Sequence, residues 1–301
     1  MKWIKFVLAG FIFLSACSTT RAEPFKTGEN DFIAPSFVFQ RVSIQRLFNK
    51  EEVYSITSEM ELAALLYKKY EQGIVNVSYM SEANLSLQRV YMFLESIMID
   101  PFMLRQGYTE YKKGDEVAVT TYFVELVIDD SDAASIRLSA SRILEGLITD
   151  SMSDRDKIAL IHDYIVKTTA YDESVLDLDL TKVQNHPSFY AVGVFRHQTA
   201  VCSGYARAFN LLAHQANIRS IMISSHIISH AWNLVYLDGE MLYLDATWND
   251  PIPDVPNRVL RTYYLQPKTQ FLSDGQHVFD RSSETELDAA DFEAFVGYIW
   301  G

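Results

Sequence analysis

The chain has 301 residues, of which 49% are hydrophobic, so it can bury a substantial core as one large domain or as two smaller ones. Its net charge of −13 repels the phosphate backbone of nucleic acids, and no local cluster of lysine and arginine overcomes that repulsion. The composition therefore argues against nucleic acid as a partner.

The amino terminus has the pattern of an export signal. Two lysines precede the apolar run Phe6–Leu14, which is too short to cross a bilayer as a stable helix. The run leads into Leu-Ser-Ala-Cys17, which resembles the lipobox of bacterial lipoproteins, where the cysteine is lipidated and becomes the first residue of the mature protein. We therefore predict a lipoprotein signal peptide over residues 1–17 and a protein anchored through Cys17 to the extracytoplasmic face of a membrane. The alternative is an ordinary signal peptide with an incidental cysteine.

Residues 18–55 show no sustained periodicity and predict a tether between the anchor and the folded body. The spacing of apolar residues then changes, and it predicts a small α+β domain over residues 56–150 with no chemical signature of its own. Its expected elements are a helix over 58–71 that begins with a capping box, a strand from Ile74, a helix ending before Pro101, strands over 108–112 and 116–128, and a helix ending near Leu147.

A second domain is predicted over residues 151–280, followed by a tail over residues 281–301. It begins with a helix capped by Ser153. Cys202 opens a later helix, and the adjacent Ser-Gly pair permits a close approach of neighbouring backbone. Strands then flank Asp238-Gly239, a strong signal for a two-residue hairpin turn.

Three residues of this domain have the chemistry of a thiol acyl-transfer site. With Cys17 lipidated, Cys202 has no other cysteine to pair with, and a helix N-terminus favours its thiolate. The two-residue turn places Asp245 opposite Trp232 and on the same face as His230, about 7–8 Å away along the diagonal. A carboxylate can reach an imidazole across that distance and fix its tautomer.

The sequences around these residues are Val-Cys-Ser-Gly-Tyr-Ala, His-Ala-Trp-Asn and Leu-Asp-Ala-Thr-Trp-Asn. In this order they resemble the transglutaminase-like superfamily, whose members form a thioester on the cysteine and pass the acyl group to an amine or to water. The resemblance implies a papain-like α+β core in which the helix of Cys202 packs on an antiparallel sheet that carries His230 and Asp245. It also implies that these three residues are nucleophile, base and orienting acid.

We therefore expect a membrane-anchored extracytoplasmic enzyme that cleaves or transfers acyl groups of peptide or amide bonds, with a protein or peptide substrate and cell-wall peptides as one such class. The alternative is a catalytically inactive module of the same fold that binds cell-envelope peptides or proteins. Each residue also has an ordinary explanation: a buried free cysteine, a core histidine, and an aspartate that caps a turn.

No metal or cofactor is predicted. His226 and His230 have the four-residue spacing of a helical zinc pair, but their surroundings favour strands and no third ligand is evident. No loop carries the run of oxygen ligands that calcium needs. Trp232 and Trp248 are expected to shield the site from water or to pack in the core. His277 has no partner that the sequence identifies, and a solvent or structural role is expected for it.

Overall fold

The structure is a computed structural model. It describes residues 52–113, 116–128, 132–178, 186–225, 227–250, 252–278 and 287–300. The predictions for the signal peptide and Cys17, most of the tether, and His226 lie outside these residues. Within them, no helix combines the length and the apolar character needed to span a membrane.

The first part of the chain folds into a four-stranded sheet and three helices. Ser58 caps the first helix by accepting the backbone N–H of Glu61, which is the capping interaction that the sequence predicts. The strands are arranged in the order β1-β2-β4-β3. The elements are β1 (Val53–Ser55), α1 (Glu59–Glu71), β2 (Asn76–Met80), α2 (Leu87–Ile97), β3 (Phe102–Lys113), β4 (Glu116–Ile128) and α3 (Ala133–Leu147).

The second part contains a four-stranded antiparallel sheet in the order β10-β9-β8-β7 and a short parallel pair, β5-β6. Its elements are α4 (Asp154–Thr168), β5 (Ala170–Tyr171), β6 (Thr199–Ala200), α5 (Cys202–Gln215), β7 (Arg219–Ser225), β8 (His230–Leu237), β9 (Glu240–Leu244), β10 (Gln266–Pro267), α6 (Lys268–Phe271) and α7 (Ala289–Trp300). Asp238 and Gly239 form the predicted hairpin turn, and both have positive φ angles, 55° and 85°.

The second sheet is buried on both faces. On one face, Trp232 and Leu234 belong to a hydrophobic cluster that also includes residues of α1, α2 and α7. On the other face, Val235 and Leu244 pack in a cluster with residues of α3, α4 and α5. The predicted α+β class is confirmed. The domain limits stay predictions, and the first cluster includes residues from both sides of residue 150.

Helix α7 lies in the segment predicted as a carboxyl-terminal tail. Its apolar side chains recur at helical spacing, and Phe292, Phe295 and Val296 are buried in the same cluster as Trp232. The end of the chain therefore contributes to the core beneath the sheet that carries His230.

Candidate active site

Cys202 is the first residue of α5, as the sequence predicts. The residue before it, Val201, is extended and donates its N–H to the carbonyl of Ser188 at 2.9 Å. Gly204 permits this approach, because a Cβ atom at its position would lie 2.3 Å from the Ser188 oxygen. The helix N-terminus is thus held against the segment that precedes it, and the position of the sulfur is set by backbone contacts.

The thiol is largely enclosed. Cys202 is 6% exposed and packs with Ala206 of its own helix and with Met222 and Ala231 of the sheet. His230 and Asp245 have no exposure at all. The three groups therefore meet in a site of low dielectric, where charges interact more strongly than they do in water.

The structure brings His230 and Asp245 into direct contact. Strands β8 and β9 pair Asn233 with Leu244, and this register places Asp245 across from Trp232 as predicted. Nε2 of His230 lies 2.6 Å from Oδ2 of Asp245. The thiol of Cys202 lies close enough to this imidazole to raise the pKa of His230. The structure therefore brings together all three residues that the sequence predicts for the site.

The electrostatics of this group favour a charged imidazole. Burial disfavours the imidazolium, but the Asp245 carboxylate and, to a smaller extent, the Cys202 thiol outweigh that penalty and raise the pKa of His230. Burial also disfavours the Asp245 carboxylate, yet the hydrogen bonds and charges of His230 and His277 hold the pKa of Asp245 well below its usual range. The arrangement can therefore keep a proton on His230 and a negative charge on Asp245.

The carboxylate of Asp245 accepts three hydrogen bonds. Its Oδ1 accepts the backbone N–H of Trp248 at 3.0 Å. Its Oδ2 lies near two histidine nitrogens, Nε2 of His230 at 2.6 Å and Nε2 of His277 at 3.0 Å. A buried carboxylate needs such donors to offset the loss of hydration.

The contact from His277 was not found from the sequence. This histidine lies 32 residues beyond Asp245, in a segment without helical or alternating apolar spacing. Asp274 accepts the backbone N–H groups of Gln276 and His277, and this turn directs the imidazole inwards. No motif in the sequence marks the residue, because its role depends on the path of the chain after β9.

His230, Asp245 and His277 each place one potential metal-ligand atom within 4.8 Å of the others. The two contacts with Asp245, at 2.6 and 3.0 Å, have the lengths of charge-assisted hydrogen bonds. Two ligands of a tetrahedral zinc ion with bonds of ~2.0–2.1 Å would stand about 3.3 Å apart. In this conformation the cluster is therefore arranged as a hydrogen-bonded group, and a metal would have to push its members apart.

Trp248 lies between the buried residues His230 and Asp245 and an open groove. Its indole stacks on the imidazole of His230, with ring centroids 4.8 Å apart and planes inclined by 20°. The groove has a volume of about 290 Å³ and is lined by Tyr171, Thr247, Trp248, Asp250, Ile252, Tyr263 and Gln276.

Two ionisable groups of the groove have altered acidity. Burial, followed by the charge of Cys202, raises the pKa of Tyr171, which lines the groove. Burial raises the pKa of Asp250 to about 6, even though the hydrogen bond donated by Tyr205 lowers it, and the charge of Asp254 adds a smaller upward contribution. A molecule in this groove would contact three aromatic rings, those of Tyr171, Trp248 and Tyr263, and the carboxyl group of Asp250.

The family model described as "Transglutaminase-like superfamily" matches residues 141–246. The kyphoscoliosis peptidase of Mus musculus is 21% identical over 141 residues, which are 42% of this chain and 21% of that protein. The Homo sapiens kyphoscoliosis peptidase is 21% identical over 126 residues, which are 37% of this chain and 18% of that protein. The matched part thus spans about a fifth of the length of these curated relatives.

Two solved structures are similar at low identity. The crystal structure of a TGase is 15% identical, with a TM-score of 0.33 over 71% of this chain and 65% of the other. A candidate cysteine protease from Cytophaga hutchinsonii is 14% identical, with a TM-score of 0.28 over 55% of this chain and 70% of the other.

Proposed function

We propose that this protein, whose residues 141–246 match the family model of the transglutaminase-like superfamily, is a thiol enzyme that cleaves or transfers the acyl group of a peptide or amide bond through a thioester on Cys202. The observation that supports the proposal most directly is the buried contact between His230 and Asp245, 2.6 Å long, with the Cys202 thiol close enough to raise the pKa of the same imidazole. Cys202 is the nucleophile, His230 is the base that takes its proton, and Asp245 orients and stabilises the imidazolium.

The reaction begins when the sulfur of Cys202 attacks the carbonyl carbon and His230 holds the thiol proton. The N–H groups at the start of α5 point towards the site and can stabilise the oxyanion that forms. The tetrahedral intermediate then expels an amine, which takes the proton from His230, and leaves a thioester. Water or a second amine gives a proton to His230 as it attacks the thioester. The carbon–sulfur bond then breaks, the carboxylic acid or the new amide leaves, and His230 returns the proton to the sulfur.

Hydrolysis is the more general outcome, because water is always present and no second pocket for an amine is evident from the sequence. Two of the similar proteins are named peptidases. The groove beside Trp248 and Tyr171 is the route by which we propose that a peptide approaches the thiol. Transamidation differs only in the acyl acceptor, and adding a primary amine to the reaction distinguishes the two.

A second candidate function is favoured by the burial of the site. With Cys202 6% exposed and its two partners fully enclosed, an inactive module could use the same groove to bind envelope peptides or proteins. Such a module would keep the fold while its thiol reacted as an ordinary cysteine does.

Alkylation of Cys202 separates these candidates without a known substrate. The enzyme proposal predicts that iodoacetamide labels the wild-type protein nearly as fast at pH 6 as at pH 8, because His230 supports the thiolate. His230→Gln should slow labelling at pH 6 by at least about tenfold, since ordinary thiols with a pKa of about 8.5 are almost fully protonated there. Wild-type labelling that rises tenfold per pH unit, as in His230→Gln, would support the inactive module instead.

Acyl transfer is tested with an electrophilic amide probe and with pools of peptides. We expect a covalent adduct on the wild-type protein and no adduct on Cys202→Ala. Turnover of peptides should be lost in Cys202→Ala and His230→Ala, while Gly146→Ala, a substitution in α3 at an open position, provides a control for expression and handling. Product formation that survives both active-site substitutions would end the enzyme proposal.

We also propose that the protein is anchored by a lipid on Cys17 at the extracytoplasmic face of the membrane. The support is the short apolar run followed by a lipobox-like sequence. The chain has two cysteines, so Cys17→Ser and Cys202→Ser form a matched pair. Labelling with a fatty acid should be lost in Cys17→Ser and kept in Cys202→Ser; equal labelling of both variants contradicts the anchor.

A further inference from the structure

We infer that His277 is a positioning residue of this site, which donates a second hydrogen bond to Asp245 and holds the carboxylate in the orientation that His230 needs. The inference rests on the proposed function, since it assigns a role within the same reaction. His277 does not touch Cys202 in the described contacts, and its effect on the thiol is exerted through Asp245 and His230.

The direction of the hydrogen bonds follows from the chemistry of the three groups. An ionised carboxylate only accepts, so both imidazoles that contact Oδ2 of Asp245 must donate a proton from Nε2. None of the three side chains is exposed to solvent, so water does not compete for these positions. His277 therefore has its proton on Nε2 and faces Asp245 as a fixed donor.

A second donor on the same oxygen changes how the carboxylate is held. Without His277, Oδ1 would be held by the backbone of Trp248 and Oδ2 by His230 alone. The carboxylate of Asp245 could then rotate about its Cβ–Cγ bond when His230 moves during proton transfer. With His277 in place, Oδ2 keeps a donor throughout the reaction, and the negative charge stays next to His230.

The imidazole of His277 is itself held by its neighbours. Four aromatic rings surround it, with centroid distances of 4.0 Å to Phe271, 4.2 Å to Trp248, 4.7 Å to Tyr263 and 5.1 Å to Trp232. The charged or titratable groups that face it are Asp245 and His230 from the sheet, and Tyr263 and Asp274 from the segment that follows.

This environment also allows a simpler role, in which His277 fills an aromatic cage and contributes only to packing. Two substitutions distinguish the roles. His277→Phe keeps a flat ring for the cage and removes the donor. His277→Gln removes the ring and keeps an N–H at a similar distance along the side chain. A packing role predicts that Phe is the better replacement, whereas a positioning role predicts that Gln is.

The first measurement is the rate of Cys202 alkylation across pH 5–9 in the full-length protein. We expect His277→Phe to reduce the rate of Cys202 alkylation near pH 6 by about tenfold. Effects of this size are known for residues that orient a functional side chain through a hydrogen bond. His277→Gln should stay within about threefold of the wild type. Equal rates in all three proteins, or a larger loss with Gln than with Phe, would overturn the inference.

The second measurement is NMR of protein carrying ¹⁵N-labelled histidine. We expect Nε2–H protons at low field, protected from exchange, from both His230 and His277, in addition to that of His214, which donates to the carbonyl of Ser220. His277→Gln should remove the signal of His277 and leave that of His230 near its position. If His277→Phe does not fold, this spectrum decides, since a low-field region that His277→Gln leaves unchanged would contradict the shared oxygen.

These results also distinguish the inference from the function on which it rests. A wild-type thiol that reacts as an ordinary cysteine refutes the proposed function. A wild-type thiol that is activated, but is unaffected by His277→Phe, refutes only the role of His277.

Discussion

The guanidinium of Arg207 on α5 lies 2.8 Å from the carboxylate of Glu95 on α2, and both side chains are less than a tenth exposed. Arg207 also donates to the carbonyl of Phe189. Next to this pair, Asn210 of α5 donates to the carbonyl of Ser96. The helix that carries Cys202 is therefore tied to the first part of the chain by buried polar contacts, and residues before 150 contribute to the position of the thiol.

Breaking this ion pair on one side should be costly. We predict that Arg207→Met lowers the free energy of unfolding by about 3–5 kcal/mol, because the Glu95 carboxylate would be left buried without its partner. Burial already outweighs the attraction of Arg207 and raises the pKa of Glu95. The double variant with Glu95→Leu should recover much of the loss. Denaturant unfolding of both single variants and the double variant measures the coupling, and additive losses would contradict it.

Gly204 should tolerate no side chain. We predict that Gly204→Ala lowers the free energy of unfolding by about 1–3 kcal/mol, because the new Cβ atom would lie 2.3 Å from the carbonyl oxygen of Ser188. It should also slow alkylation of Cys202, because α5 must shift at the end where the sulfur lies. The matched control is Gly146→Ala in α3, where no atom lies within 4 Å and up to about 1 kcal/mol of stabilisation is expected. A similar effect of both substitutions on the melting temperature would refute the close approach.

The raised pKa of His230 predicts a pH-dependent stability. A histidine whose pKa is higher in the folded state contributes stability that is complete below the unfolded pKa of about 6.5 and is lost as pH rises through the folded pKa. We expect the unfolding free energy of Cys202→Ala to fall above pH 6.5 by up to about 1.4 kcal/mol per pH unit from this group. Cys202→Ala is used because the thiol could otherwise exchange the same proton.

The control for this prediction is the double variant Cys202→Ala with His230→Gln, which keeps a polar group near Asp245 but has no titrating imidazole. Its stability should change less over the same pH range, and the difference between the two variants isolates His230. Parallel curves from chemical denaturation at pH 6 to 9 would show that the imidazole does not hold its proton more strongly in the folded state.

The ionisation of Asp250 in the groove should lower the stability of the folded protein. Burial raises its pKa to about 6, above the unfolded value of about 3.9, so its ionisation in the folded protein carries a cost that develops between these values and remains at higher pH. We predict that Asp250→Asn stabilises the protein at pH 7.5 relative to its effect at pH 4. The amide oxygen can still accept the Tyr205 hydroxyl, which lies 2.5 Å from Oδ2.

Thermal melts of the wild type and Asp250→Asn at the two pH values measure this difference. Asp254→Asn is a useful comparison, since it removes a neighbouring charge that raises the pKa of Asp250 without changing the buried residue. A stability change in Asp250→Asn that is the same at pH 4 and pH 7.5 would show that the carboxyl group is not perturbed.

The parts of the fold that depend on local spacing were predictable. Ser58 and Ser153 cap the helices that follow them, and the turn at Asp238-Gly239 sets the register that brings Asp245 to the side of His230. Helix α7 was missed, although Phe292, Phe295, Val296 and Ile299 have helical spacing.

The lipid anchor, the domain limits, the substrate and the roles of the three site residues stay predictions.

The sequence alone determined which side chains can carry the chemistry and how their own helices and strands present them, because helix and strand periods and turn lengths are local properties. Only the tertiary structure decided that His277 contacts the oxygen already bound by His230, that Trp248 stacks on that imidazole, and that Glu95 pairs with Arg207. These contacts join segments up to 112 residues apart. Their formation depends on how helices pack on both faces of one sheet and on the route of irregular loops, and neither leaves a repeating pattern in the sequence.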